Sequence, residues 1–148
     1  MSLVLSVNIS KTKGVSKKPI DKAIAIKGYR LFGDAHACKD SNRQISLLDF
    51  DEVMVFKDVL HFGSFAENIT TRGLNVESVS LDSMLKIGSI IVLVTQIGKT
   101  CNNACNIKKL LGSCIMPKKG VFGVVLKGGL IKPNMPIEVL NGENFYNR

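Results

Sequence analysis

The sequence predicts a mostly β, barrel-like domain carrying one or two short helices. Roughly seven short runs of alternating or β-branched apolar residues are separated by Gly, Pro and Asn breakers, the pattern of strands in a small barrel. Only one long stretch repeats its apolar residues at the helical period. A length of 148 residues, with 45% apolar and 22% charged side chains, suits one domain with one core. The chain is therefore read as a single domain, 1–148, with its core over about 6–140 and a frayed tail at 141–148.

The first strand is Leu3 to Asn8, which alternates weakly. The basic stretch KTKGVSKKP follows, with Gly14 and Pro19 as breakers, and reads as a solvated hairpin loop. A second strand covers Asp21 to Ile26, with Ala23 and Ala25 on one face and Ile24 and Ile26 on the other. The segment from Gly28 to Leu48 is dense in polar groups: Asp34, His36, Cys38, Lys39, Asp40, Arg43 and Gln44 precede the apolar Ile45, Leu47 and Leu48. That density of donors and acceptors suits an anionic or metal-bearing ligand.

The stretch from Asp49 to His61 is the best helix. Phe50, Val53, Met54, Phe56, Val59 and Leu60 recur at spacings of three and four, and form a core stripe. Acidic Asp49, Asp51 and Glu52 start it, Lys57 and His61 lie toward its end, and Gly63 can stop it. Glu67 and Asn68 then stand between apolar Phe65 and Ile69. Val76 to Leu85 and Ile90 to Ile97 read as a hairpin around Gly88-Ser89. The tail adds GVFGVVL, the turn KGG and LIKPNMPIEVL, with Pro136 at an edge or a strand start.

Between those last strands lies the most reactive stretch. Residues 99–119 hold Cys101, Cys105 and Cys114 and five lysines, with no Asp or Glu. The piece NNACNIKKLLG reads as a short helix, capped by Asn102 or Asn103 and ended by Gly112. Cys101 then lies just ahead of that helix, where lysines and outward-pointing N–H groups favour a thiolate. It is the first candidate for a reactive or ligating cysteine.

The net charge of +8 favours anionic partners. Nucleic acid is disfavoured, because aromatics are 6% of the chain and there is no Trp for stacking. No apolar run reaches the ~18–20 residues of a membrane span, and the start MSLVLSVNIS lacks a signal-peptide pattern. A cytoplasmic protein with reduced cysteines is expected, with no membrane partner.

Taken together, GDAHACKDSNRQISLL, FGSFAENITT, LKIGSIIVLVTQIGKTC and GVFGVVLKGGLIKPNMPIEVL, in that order, resemble the small stand-alone MOSC domains. These are related to the C-terminal domain of molybdenum cofactor sulfurase, and the likeness runs from about Ser6 to Leu140. It implies a MOSC-type β-barrel that binds the molybdenum–pterin cofactor or carries sulfur for it. In the larger mitochondrial amidoxime-reducing component, a cysteine of this domain ligates molybdenum. The matching position is Cys101 in GKTC, implied here as the catalytic residue, either molybdenum ligand or persulfide acceptor. The resemblance assigns cofactor binding to Asp34, His36, Arg43, Gln44, Glu67 and Asn68, and the cations Lys99 and Lys118 suit its phosphate. The implied partners are the cofactor itself and its biosynthetic or sulfur-donor proteins. Cys38 stands where the family often has Gly, and Asn42 where it often has His. No specific reaction follows from the sequence.

Two other readings compete. Cys101, Cys105 and Cys114 with His36 or Cys38 could hold zinc as a structural or redox module, though no paired C-x-x-C spacing is present. A basic β-barrel binding RNA or another polyanion rests on the net charge alone.

Overall fold

The computed structural model describes residues 2–12, 16–35, 44–53, 62–63, 65–98 and 120–140. In chain order the strands are β1 (Ser2–Ile9), β2 (Lys18–Ile20), β3 (Ala23–Ile26), β4 (Arg30–Leu31), β5 (Ile45–Asp49), β6 (Ile69–Arg72), β7 (Met84–Ile87), β8 (Ile90–Ile97), β9 (Val121–Lys127), β10 (Gly129–Ile131) and β11 (Pro136–Leu140). One α-helix begins at Phe50 and is described as α1 (Phe50–Val53). The strands pair in the order β11-β7-β8-β9-β5-β6-β1-β2, and β11 also pairs with β1. That last pairing closes seven strands into a barrel, with β2 as an appendage on β1. A separate ribbon, β10-β3-β4, lies beside it. The mostly β barrel expected from the sequence is the fold observed.

The barrel interior is aliphatic. Val4, Val7, Ile45, Leu47, Ile69, Leu85, Ile87, Val92, Val94, Val121, Val125 and Ile137 form one buried cluster. Alternation puts Ile45 and Leu47 of β5 into this core and turns Ser46 and Leu48 outward. Yet all five residues of β5 are buried, so its outer face is covered as well. In β1 a bulge between Val4 and Ser6 shifts the alternation. Val4 and Val7 can then both face the core, while Ser6 and Asn8 share the outer face with Thr70. A polar layer is thereby laid on the outside of β1, β6 and β5.

Three local expectations are revised. The helix starts at Phe50, because Asp49 ends β5, and the Asp49 carboxylate accepts from the Thr71 hydroxyl and the Leu74 N–H instead of capping a helix. Val76–Ser78 is one turn of 3₁₀ helix, not a strand, held by the Asn75 side chain accepting from Glu77 N–H. The hairpin strand begins only at Met84. Finally, the basic stretch expected as a loop ends in a short strand, β2, paired with β1, whereas the strand expected over 21–26 is found as β3, with Ala23 and Ala25 buried and Ile24 and Ile26 exposed. The rest of the helix to His61, the helix NNACNIKKLLG and the tail 141–148 lie outside the described residues. Among the described residues no helix is long and apolar enough to cross a membrane.

Candidate functional site

The polar layer is built by five pieces of chain meeting on the barrel's outer face. The end of β1 supplies Ser6, Asn8 and Ser10; the segment before β2 supplies Lys17; the turn after β4 supplies Asp34. The turn before β6 supplies Glu67 and Asn68, and β5 and β6 themselves supply Ser46 and Thr70. That last turn is tightly folded. Ala66 sits at φ 64°, a left-handed conformation that strains a residue with a Cβ. Gly63, at φ 88°, packs so closely that a Cβ there would stand 2.5 Å from the Lys17 carbonyl oxygen. Its own carbonyl accepts from Lys17 N–H at 2.8 Å.

An ion pair anchors the layer. Lys17 Nζ donates to Asp34 Oδ1 at 2.7 Å, and both side chains are essentially inaccessible to solvent. Ser10 N–H donates to the same oxygen at 3.1 Å, and Asn68 Nδ2 donates to Asp34 Oδ2 at 3.0 Å. Both carboxylate oxygens are therefore engaged by protein donors. Burial alone would raise the Asp34 pKa, but the Lys17 charge and the bonds from Lys17, Asn68 and Ser10 outweigh it and hold the carboxyl below its ordinary range. Asp34 is a buried anion.

Glu67 is the opposite case. Burial pushes its pKa up, and bonds from the Thr70 hydroxyl and from backbone N–H groups, Phe65's among them, only partly offset this. No cation is among the causes of its shift. Asn8 ties the two halves together: its Nδ2 donates to Thr70 Oγ1 and to the Glu67 carbonyl, both at 3.1 Å. Asn68 does the same on β5, where its Oδ1 accepts from Ser46 N–H at 3.0 Å. With a paired cation, an anion and a carboxyl biased toward neutrality, the layer is a rigid polar support.

Of the residues singled out in the sequence, Asp34 and Asn68 are in direct contact, and Glu67 joins them through Thr70 and Asn8. Gln44 is buried but does other work: its amide oxygen accepts from Val125 N–H at 3.0 Å, extending the β5–β9 pairing. Cys101, His36, Arg43, Lys99 and Lys118 lie outside the described residues, as do Cys38, Cys105 and Cys114 of the zinc reading. The base of the cysteine-bearing segment is described. Gly98 N–H donates to the Gly120 carbonyl at 2.7 Å, pinning together the strand ends that carry 99–119. Ser46 faces Phe122, and Phe122 faces Gln96, so Ser46 of the polar layer lies one strand spacing, ~5 Å, from the start of β9 and two, ~10 Å, from the end of β8.

Sequence reasoning missed Lys17. The basic stretch was expected to be solvated, and Lys11 and Lys18 are exposed, but Lys17 is 1% exposed and paired. The readable signal was the polar alternation Ser6, Asn8, Ser10 running out of β1, which marks an outer face that something buried must satisfy.

No family model matches the chain, and no curated protein matches it. Several solved structures do share its fold. YiiM from Geobacillus stearothermophilus is similar at 21% identity with a TM-score of 0.74, over 95% of this chain and 76% of that one. The YuaD protein from Bacillus subtilis is similar at 18% identity, TM-score 0.74, over 94% of this chain and 96% of that one. YiiM from Escherichia coli is similar at 16% identity, TM-score 0.70, over 95% and 70%. At these identities the likeness establishes the fold.

Proposed function

We propose that this chain is a MOSC-type domain that holds a molybdenum–pterin cofactor or carries sulfur for it, with Cys101 as the metal ligand or persulfide acceptor. A fold shared with YiiM and YuaD supports the architecture. The observation that carries the reading is the contact between Asn68 and Asp34 at 3.0 Å. These residues come from FAENIT and GDAHA, two motifs 34 positions apart that the resemblance picked out separately. They converge on one buried layer beside the strands that carry Cys101.

The donor set suits the cofactor. Cys101 offers a soft thiolate, Lys99, Lys118 and Arg43 offer charge and donors for phosphate, and no carboxylate lies in 99–119 to oppose them. Asp34, Asn68 and Glu67 act behind these groups: bonded to protein on the described side, they fix the start of the segment carrying His36 and Arg43. Gln44 fixes its end against β9. When bound, the cofactor would supply a redox-active metal centre. In sulfur carriage the Cys101 thiolate attacks the outer sulfur of a donor persulfide, becoming a persulfide itself and releasing the donor thiolate, with no net oxidation.

The test is metal and pterin analysis of protein from cells that make the cofactor, wild type beside Cys101→Ser, followed by persulfide labelling of both. Molybdenum and pterin in wild type and their loss in the variant support cofactor binding on this loop. Persulfide on wild type alone supports sulfur carriage. A variant indistinguishable from wild type in cofactor content and labelling defeats both.

A further inference from the structure

The outer face of the β10-β3-β4 ribbon carries a feature that the cofactor reading does not use. Leu130 of β10 opposes Ile24 of β3, and Phe32, just beyond β4, donates its N–H to the Ile24 carbonyl at 2.8 Å. Three apolar side chains therefore run side by side across the ribbon, with Ile26 next along β3. Their partners on the inner face, Ala23, Ala25, Leu31 and Ile131, are buried, so the alternation sends these four toward solvent. Ile24 is 49% exposed, and Phe32, in the turn after β4, is 70% exposed. An apolar bed with one protruding aromatic is not the normal outside of a short ribbon.

Its surroundings are cationic. Lys22 and Lys132, both exposed, come one step past the opposed pair Ala23 and Ile131, so two lysines stand at the same end of the ribbon. Arg30, opposite Ile26, shares the face. Lys27 and Lys127 are exposed at the other end. Asp21, exposed beside Lys22, is the one acidic side chain exposed along this ribbon among the described residues, and none of the four lysines has an ion-pair partner among them. Like charges gathered on one ribbon repel one another unless an anion comes from outside.

We propose that this face docks on an anionic lipid surface, without spanning it. Phe32 sits at the headgroup boundary, the Ile and Leu side chains lie flat on it, and the lysines meet the phosphates around them. A second copy of the chain fits poorly, since each carries +8 and lysine would meet lysine. Nucleic acid would neutralise the cations but leave the aliphatic bed uncovered. No membrane partner was legible in the sequence because the patch is assembled across three short strands, none of which is a membrane-length apolar run.

Sedimentation of the full chain with vesicles tests it, using phosphatidylcholine alone and phosphatidylcholine with phosphatidylserine at roughly two to one, a composition with an anionic surface. The protein should bind the mixed vesicles, ignore the neutral ones and be released as salt shortens the range of the attraction. Lys22→Gln with Lys132→Gln should weaken vesicle affinity about thirtyfold. Phe32→Ser should weaken it roughly tenfold or more while leaving the thermal midpoint unchanged, since that side chain is mostly exposed. No binding to the mixed vesicles at low salt overturns the proposal, as does binding that these substitutions leave intact. Soluble poly-glutamate binding as tightly as the vesicles, indifferent to Phe32→Ser, would reassign the face to an acidic protein.

Discussion

At the residue scale, the polar layer makes predictions of opposite sign for its two carboxyls. Lys17→Met keeps the aliphatic reach but leaves Asp34 buried as an anion without its cation. Urea denaturation at neutral pH should show a loss of about 3–5 kcal/mol. Adding Asp34→Asn should recover a substantial part of it, since the two sites are in contact; simple addition of the two losses would mean the pair is not coupled. In acid, Asp34 contributes stability that is complete above its ordinary value of 3.8 and is lost as pH falls below that through its lower folded value. Glu67 acts the other way. Above the ordinary glutamate value of 4.5 the unfolded chain ionises while the buried carboxyl keeps its proton, so stability falls with rising pH until the folded group ionises too. The slope is at most about 1.4 kcal/mol per pH unit. Glu67→Gln should abolish that fall; a variant whose stability tracks wild type across this range would show Glu67 ionised in the fold. Asp34, Glu67 and Asn68 were singled out by motifs, and the fold brings them into one buried polar layer. Lys17 was not singled out, because burial of one lysine among several depends on a carboxylate 17 positions away.

At the scale of elements, strand spans were legible wherever alternation was clean. β1, β8 and β9 fall within a few residues of their expected spans; LIKPNMPIEVL instead divides into β10 and β11 in different sheets, neither pairing with β9, though Pro136 does begin a strand, where its missing N–H costs no ladder bond. What alternation could not show is irregular pairing. The β8–β9 ladder shifts register between Ile91 and Val92 and again between Val94 and Gln96. Between these shifts Gly123 passes so close to β8 that a Cβ would lie 2.5 Å from the Leu93 carbonyl oxygen and 2.6 Å from Val92 Cγ1. The crowding atom is backbone in the longest ladder of the barrel, so it cannot rotate away. Gly123→Ala should cost about 1–3 kcal/mol, lowering the thermal midpoint by roughly 2–4 °C per kcal/mol. The same ladder holds the Gly98–Gly120 base of the cysteine segment. The substitution should therefore also change the alkylation rate of Cys101, and an unchanged midpoint would mean the ladder relaxes to admit a methyl group.

At the scale of the whole molecule, the barrel is closed by its least local contact. Among the described residues β1 meets β11 through Ser2–Ile137 and Leu3–Pro136, with Val4 exchanging bonds with Met135 and Asn134 just beyond. The strands were readable one by one, but their closure was not, because it joins residues more than 130 positions apart and leaves no local pattern. Such a seam carries a large loop-closure entropy, so it is expected to form after the hairpins that need little chain. Ile137 is buried in the core cluster at that seam, and Leu85 is buried in the local β7–β8 hairpin. Truncating either to Ala should destabilise by about 2–5 kcal/mol, since both leave cavities in a packed core. Their kinetics should differ. Leu85→Ala should mainly slow folding, as its contacts belong to a local hairpin available early. Ile137→Ala should leave the folding rate near wild type and speed unfolding, because the seam is open in the transition state and closed only in the native barrel. Stopped-flow chevrons of the two variants decide the order: a folding rate slowed more by Ile137→Ala than by Leu85→Ala would mean the ends meet first and the hairpins fill in behind them.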